Sequence, residues 1–275
     1  MLLGVHCSVA GGFENAFIEA ERLGINTFQI FSRNQRQWKC KSISEEECLI
    51  YNMARANSNA KLTFSHTSYL INLGSGNEEI WNKSIEALQL EIERCTTMGL
   101  AYTVLHPGAA GSQTLEDAII RIAAGLITVL ESTPKSNTMI LLEITAGQGS
   151  SVGGNFENLA KIKNLVNSER IGFCFDTCHA FAAGYELRTK EAFEVTMNEF
   201  DKTLGIENLK VFHLNDSKGA LGSHLDRHDH IGQGKLGLIP FQEIMRRFPD
   251  IPKVLETPKE NDMDAVNLKV LRELI

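Results

Sequence analysis

Short β-rich runs alternate with longer amphipathic runs from end to end of this chain, and that alternation limits its fold more than any other feature. The strand candidates are 2–7, 27–32, 61–66, 102–107, 139–144, 171–176, 209–214 and 253–258. Helical periodicity is clearest over 11–24, 44–57, 78–98, 114–131, 155–167, 188–204, 240–248 and 262–275. Ser44 followed by Glu47 reads as a capping box, and Gly24 and Gly99 are placed to end their helices. Parallel strands need crossover helices, so eight β-then-α units without a linker predict an α/β fold: one (β/α)8 TIM barrel spanning residues 1–275 as a single domain. A doubly wound open sheet is the competing arrangement. The longest stretch without periodicity runs from Asn215 to about Ile239, and loops of that length in compact domains are functional or disordered.

Composition narrows the setting. The 27 Lys+Arg against 34 Asp+Glu leave a net charge of −7, with 43% hydrophobic and 22% charged residues, an ordinary soluble balance. No apolar run reaches the roughly 18 residues of a membrane span, and MLLGVHCSVAGG lacks the basic and long apolar regions of an export signal. The six cysteines (Cys7, Cys40, Cys48, Cys95, Cys174, Cys178) contain no C-x-x-C pair and read as reduced thiols rather than a disulfide framework. The expectation is a cytoplasmic protein that makes no membrane contact.

The metal-capable side chains fall where the chemistry of a barrel gathers. His66, His106, Glu143, Asp176, His213 and Glu256 each lie at or near the carboxyl end of a different strand, the third to the eighth. In a barrel those ends converge on one face. Two positions earlier, on the same side of each strand, stand Phe64, Val104, Leu141, Cys174, Val211 and Val254, so a packed interior capped by a polar ring is predicted. A lone histidine of this kind is ordinarily a satisfied core-edge residue; six such groups at successive strand ends are not so easily dismissed. His179, three residues after Asp176, and the pair Asp226 and His228 add three loop candidates, while spacing alone leaves neighbouring His224 and His230 as alternatives. Imidazole and carboxylate donors suit zinc, with manganese or iron as alternatives, and nine ligands are too many for one ion. A cluster of two or three is expected. Ligation by Cys174 and Cys178 competes, but Cys174 falls one layer below Asp176, where a thiol packs as a small hydrophobe. His6 ends the first strand facing the same mouth, as a phosphate-binding group, a positioning residue or a core-edge histidine.

Other signatures are weak. Gly149-Ser150-Ser151-Val152-Gly153 matches G-x-S-x-G, but Ser151 follows Ile144 by seven residues, too far for a nucleophile elbow. The glycines at 147, 149, 153 and 154 are read as a flexible loop beneath the ring. Basic and aromatic residues collect in loops of the same face: Arg33, Arg36, Trp38, Lys39 and Lys41 after the second strand, Tyr69 and Leu70, exposed by position, after the third, and Lys218, Arg227 and Lys235 in the long loop. Composition does not separate a nucleic-acid groove from a solvated rim. Three divalent ions would cancel six of the seven excess negative charges, so acidity does not exclude a polyanionic substrate.

The blocks GVHCSVAGG, FSRNQRQW, SHTSYLINLGS, LHPG, LEITAGQGS, FCFDTCHAFAAGY, HLNDSKGALGSHLDRHDHIGQG and VLETP run in order across nearly the whole chain. In them the sequence resembles the endonuclease IV family, zinc-dependent apurinic/apyrimidinic endonucleases of base excision DNA repair. The resemblance implies three zinc ions (Zn2+) at the barrel mouth. His66 and His106 would serve one, Asp176, His213 and Glu256 a second, Glu143 would bridge these two, and His179, Asp226 and His228 would hold the third. It also implies that Arg36, Tyr69 and Leu70 enter double-stranded DNA at the abasic site. The expected enzyme is a monomeric phosphodiesterase of the deoxyribonuclease IV type, in which Glu143, His66, His106, Asp176, His213 and Glu256 form the catalytic centre. It would cut 5′ to the lesion, leaving a 3′-hydroxyl and a 5′-deoxyribose phosphate, and would trim blocked 3′ ends. A metal-dependent sugar isomerase or epimerase on the same barrel is the rival reading; it leaves His179, Asp226, His228 and the Arg36 and Tyr69 loops unused.

Overall fold

Eight parallel strands close on themselves in the computed structural model, which describes residues 1–275. They are β1 (Leu3–His6), β2 (Thr27–Phe31), β3 (Leu62–His66), β4 (Tyr102–Leu105), β5 (Met139–Glu143), β6 (Ile171–Asp176), β7 (Leu209–His213) and β8 (Lys253–Leu255). Each pairs with its successor, and β8 returns to β1 through Leu3↔Lys253, Gly4↔Val254 and Val5↔Leu255. The open-sheet alternative is thereby excluded. Gly4 has a steric reason: a Cβ there would lie 1.8 Å from the Thr27 carbonyl oxygen, so β1 and β2 approach this closely only without one.

Helices follow the strands: α1 (Asn15–Leu23), α2 (Glu45–Ala56), α3 (Glu78–Met98), α4 (Leu115–Ser132), α5 (Phe156–Val166), α6 (Thr177–Ala183), α7 (Lys190–Leu204), α8 (Ile239–Arg247) and α9 (Met263–Glu273). Their ends are written locally. Ser44 and Glu47 form the reciprocal capping box, Asn77, Thr114, Asn155 and Thr189 each accept a backbone N–H three residues on, and Gly24 and Gly99 close their helices in the left-handed region. In α4, Ala118, Ile119, Ile122, Ala123, Leu126 and Val129 recur at helical spacing and are all buried against the barrel layer. No helix is long and apolar enough to cross a membrane.

The interior divides into two apolar bodies. A larger one fills the space between strands and helices, while Phe64, Val104, Leu141, Cys174, Val211 and Val254 form a separate cluster inside the barrel. These are the six positions that alternation placed one layer beneath the strand-end ring. Above them the loops carry structure that periodicity did not reveal. Asp216–Ser217 pairs with His228–Asp229, and Gly108–Ala109 with Ser151–Val152, so the 147–154 segment is tied into a ladder rather than left as an unpaired loop.

Candidate metal centre and rim

The ring begins with Glu143, the last residue of β5, whose carboxylate is fully buried. His66 Nε2 lies 3.2 Å and His106 Nε2 3.0 Å from its Oε2, while His213 Nδ1 lies 2.9 Å from its Oε1. Glu143 therefore stands between two groups of donors. In one, His66, His106 and Glu143 bring their ligand atoms within 4.8 Å of one another; in the other, Glu143, Asp176, His213 and Glu256 do the same. A third group, His179, Asp226 and His228, meets the same limit. All nine candidates thus converge. His224 and His230 lie outside these three groups, the first bonded through Nδ1 to the Ala146 carbonyl and the second 3.2 Å from the Asn267 amide. Cys174, with Glu143 and His213, and Cys178, with Asp176 and His228, meet the same limit, but Cys174 sits in the inner apolar cluster and burial pushes both thiols up to about 12, away from the thiolate that binds metal.

Local structure aims these side chains. β6 runs directly into α6, so Asp176 caps that helix, accepting the His179 N–H at 2.8 Å on Oδ1 while Oδ2 accepts from Asn215 Nδ2 at 2.7 Å. Carbonyl acceptors lie beside the Nδ1 atoms of His66 (Thr67 O, 2.8 Å), His179 (Ile144 O, 3.0 Å) and His228 (Glu256 O, 3.2 Å). Each fixes the ring proton on Nδ1 in the neutral imidazole and leaves Nε2 for the group. His213 is reversed: its Nε2 faces Gln29 Oε1 at 2.9 Å, which leaves Nδ1 for the carboxylates.

Among themselves, the side chains of the ring behave as trapped ion pairs. Burial acts to raise Glu143, but the His213 and His106 imidazoles outweigh it and hold the carboxyl well below its usual range. Glu256 is brought to about 2 against its own burial, chiefly by His213. Burial acts to lower His179 and His213; Asp176, Asp226 and Glu143 outweigh it at His179, and Cys174, followed by Glu256 and Glu143, at His213, so both stand well above the ordinary imidazole value. His6 has less compensation, and burial takes it down to about 3. The donor set fits divalent metal on a further observation. His179 Nε2 lies 3.2 Å and His228 Nε2 3.5 Å from Asp226 Oδ1, yet both nitrogens are buried and out of line for a hydrogen bond. Lone pairs converging on a shared point rather than on each other are what a cation needs.

The rim differs in part from expectation. Tyr69 is 59% exposed, its ring 5.5 Å from His66 and 5.7 Å from His106, and Arg36 is exposed on the turn after β2. Leu70 is half-buried rather than exposed, and Trp38 packs partly against the core. Arg33 is no rim cation: it is buried, its guanidinium donating to the carbonyls of Gln37 and Trp38.

Three supporting residues escaped the sequence reading. Gln29 touches His6, His213 and Glu256; Asn215 joins Asp176 to the Glu256 backbone N–H; Asp216 accepts from the backbone N–H groups of Ser217, Gly232, Gly234 and Leu236. For Gln29 a signal existed, since a polar residue sits at an inward strand position. Asp216 follows the strand-end His213 too closely for spacing to distinguish its role.

A barrel closed by eight parallel strands with carboxylates and imidazoles at its mouth defines a class, and residues 17–274 match the model of the xylose isomerase-like TIM barrel family. Within it the chain is 43% identical to a probable endonuclease 4 of Chloroflexus aurantiacus, covering 99% of this chain and 97% of that protein. It is 44% identical to another from Trichlorobacter lovleyi, covering 99% of each. The crystal structure of endonuclease IV from Thermus thermophilus superposes with a TM-score of 0.89 at 36% identity, over 100% of this chain and 98% of that one. The chain belongs to the endonuclease IV family and is a nuclease of the hydrolase class. A D-tagatose 3-epimerase-like protein, at 18% identity and a TM-score of 0.77, shares the fold alone.

Proposed function

We propose that this protein repairs DNA by hydrolysing the phosphodiester 5′ to an abasic site in a duplex, leaving a 3′-hydroxyl and a 5′-deoxyribose phosphate, and that it also trims blocked 3′ ends. The observation that carries the reading is the trio of donor groups, two of them sharing Glu143. His66, His106 and Glu143 would hold one zinc, Glu143, Asp176, His213 and Glu256 a second, and His179, Asp226 and His228 a third. Bound zinc would supply a water of lowered pKa as nucleophile, neutralise phosphate charge and stabilise the departing 3′ oxygen.

The chain's own residues do the rest. A pocket of about 400 Å3 at the ring is lined by Tyr69, His106, His179, Lys218, Arg227 and Glu256, among others. Lys218 and Arg227 offer cations to the phosphate, and the Tyr69 ring covers His66 and His106 on the solvent side. Arg36, Tyr69 and Leu70 fill the gap left in the helix when the lesion turns into the mouth; the missing base lowers the unstacking cost of a few kcal/mol. Residues 1–275 act as one domain and as a monomer.

The test is a duplex with a single abasic site, incubated beside a panel of ketoses. Incision 5′ to the lesion with a 3′-hydroxyl product, close to three zinc per chain, and at least a thousandfold loss in Glu143→Ala are expected. Ketose epimerisation without incision would overturn the reading.

A further inference from the structure

Beside the ring lies another pocket, of about 490 Å3, that the proposed chemistry does not use. The loops after β1, β2 and β8 line it with His6, Ser8, Arg33, Asn34, Gln35 and Lys259, and no carboxylate is among its lining residues. In a chain of net charge −7 this is a local reversal of sign. Arg33 carries the argument. It is only 7% exposed. Its terminal nitrogens donate to the neutral carbonyls of Ala87, Gln37 and Trp38, and its buried Nε has no partner at all. A buried cation is costly unless a counter-charge accompanies it. Lys259 already has one, with Nζ 2.6 Å from Asp264 Oδ2, so Arg33 is the cation of this pocket without an ion pair, although Glu14 and Glu47 line the adjoining pocket that it also borders.

The pocket adjoins the ring. His6 lines it and holds Nδ1 3.8 Å from Glu256 Oε1. Phe31 lines it too, with its ring 4.2 Å from that of His6, 5.6 Å from His66 and 5.8 Å from Tyr69. One layer of side chains therefore separates this pocket from the metal-ligand candidates. Successive phosphates along a strand are joined by a single sugar, so a strand seated at the ring brings neighbouring phosphates to its border. We propose that the pocket around Arg33 is an anion subsite for a backbone phosphodiester of the same strand, flanking the bond that is cut; this rests on the phosphodiesterase reading above. A second fixed phosphate sets the register of the strand over the ring without reading its sequence.

The test is binding of abasic duplexes in which each phosphate flanking the lesion is replaced in turn by a neutral methylphosphonate, with wild type, Arg33→Met and Gln35→Glu. Gln35→Glu places a carboxylate in the pocket without touching the Arg33 hydrogen bonds, so it covers the case in which Arg33→Met disturbs its loop. One position should cost wild type about tenfold in affinity and cost either variant little. Both variants should bind the unmodified duplex more weakly, with the slope of log K against log salt reduced by about 1. A flat scan in wild type, or equal penalties in all three proteins, would overturn the subsite. So would a flat scan combined with Arg33-dependent competition by inorganic phosphate, which marks a site for the free anion. Failure to incise the unmodified duplex overturns the reaction assigned above, whereas the binding scan still reports on the pocket.

Discussion

Gln29, on β2, pairs in register with Phe64 of β3, at an inward position where each barrel strand from β3 to β8 places an apolar or thiol side chain. Its amide nitrogen donates to Glu256 Oε1 at 2.6 Å, which turns the amide oxygen toward His213 Nε2. A carboxylate can only accept, so this orientation is forced, and it fixes the His213 proton on the nitrogen that faces away from the carboxylates. Gln29 thus acts on a candidate metal group through two of its ligands while touching the ring only from below. Gln29→Met keeps volume and removes both of these bonds together with the contact to His6, leaving His213 free to take the wrong tautomer. Metal affinity in competition with a chelator should fall tenfold to a hundredfold while the circular dichroism spectrum stays native. Unchanged metal affinity would show that packing alone holds His213.

The elements nearest the helical and strand periods were legible in the sequence; those that depend on distant partners were not. Each of the eight strands and eight of the nine helices lies where alternation and helical spacing placed it, within a few residues at the ends, because burial on one face writes itself into the pattern. The short helix α6 did not: six of its seven residues are buried, which erases the periodicity. Nor did the order within the long loop, which comes from Asp216. Its carboxylate gathers four backbone N–H groups, three of them more than fifteen residues away, and Gly234 is required because a Cβ would sit 2.5 Å from Asp216 Oδ1. That arrangement anchors the segment after His228, and with it one edge of the third donor group. Asp216→Ala should lower unfolding stability by on the order of 3 kcal/mol, since it orphans several buried donors at once. It should also remove hydrogen-exchange protection from residues 231–236. A loss below about 1 kcal/mol with protection intact would mean that the loop is held by other contacts.

At the scale of the whole molecule the ring decides the sign of the face that meets substrate. Its four carboxylates, Glu143, Asp176, Asp226 and Glu256, carry four negative charges, and the five imidazoles are neutral when they serve as ligands. Three divalent ions would turn that local charge from four negative to two positive, while the chain as a whole stays slightly acidic. Field at a concave mouth counts for more than net charge, so metal loading controls attraction of a polyanion as well as its cleavage. Without metal the raised histidines protonate and partly offset the carboxylates, but the ring then offers phosphate no net positive charge beyond them. Chelated protein should therefore lose most of its affinity for abasic duplex, by a hundredfold or more at moderate salt, and zinc should restore it. Arg36→Ala combined with Tyr69→Ala should act differently. It removes contacts that offset the bending of the duplex, so it weakens binding to intact abasic duplex more than to a flexible gapped substrate while metal content stays at wild-type level. Measuring both substrates against chelated protein and the double variant separates the two contributions. If chelated protein binds as tightly as the loaded form, attraction resides in the rim loops alone and the ring serves only the chemistry.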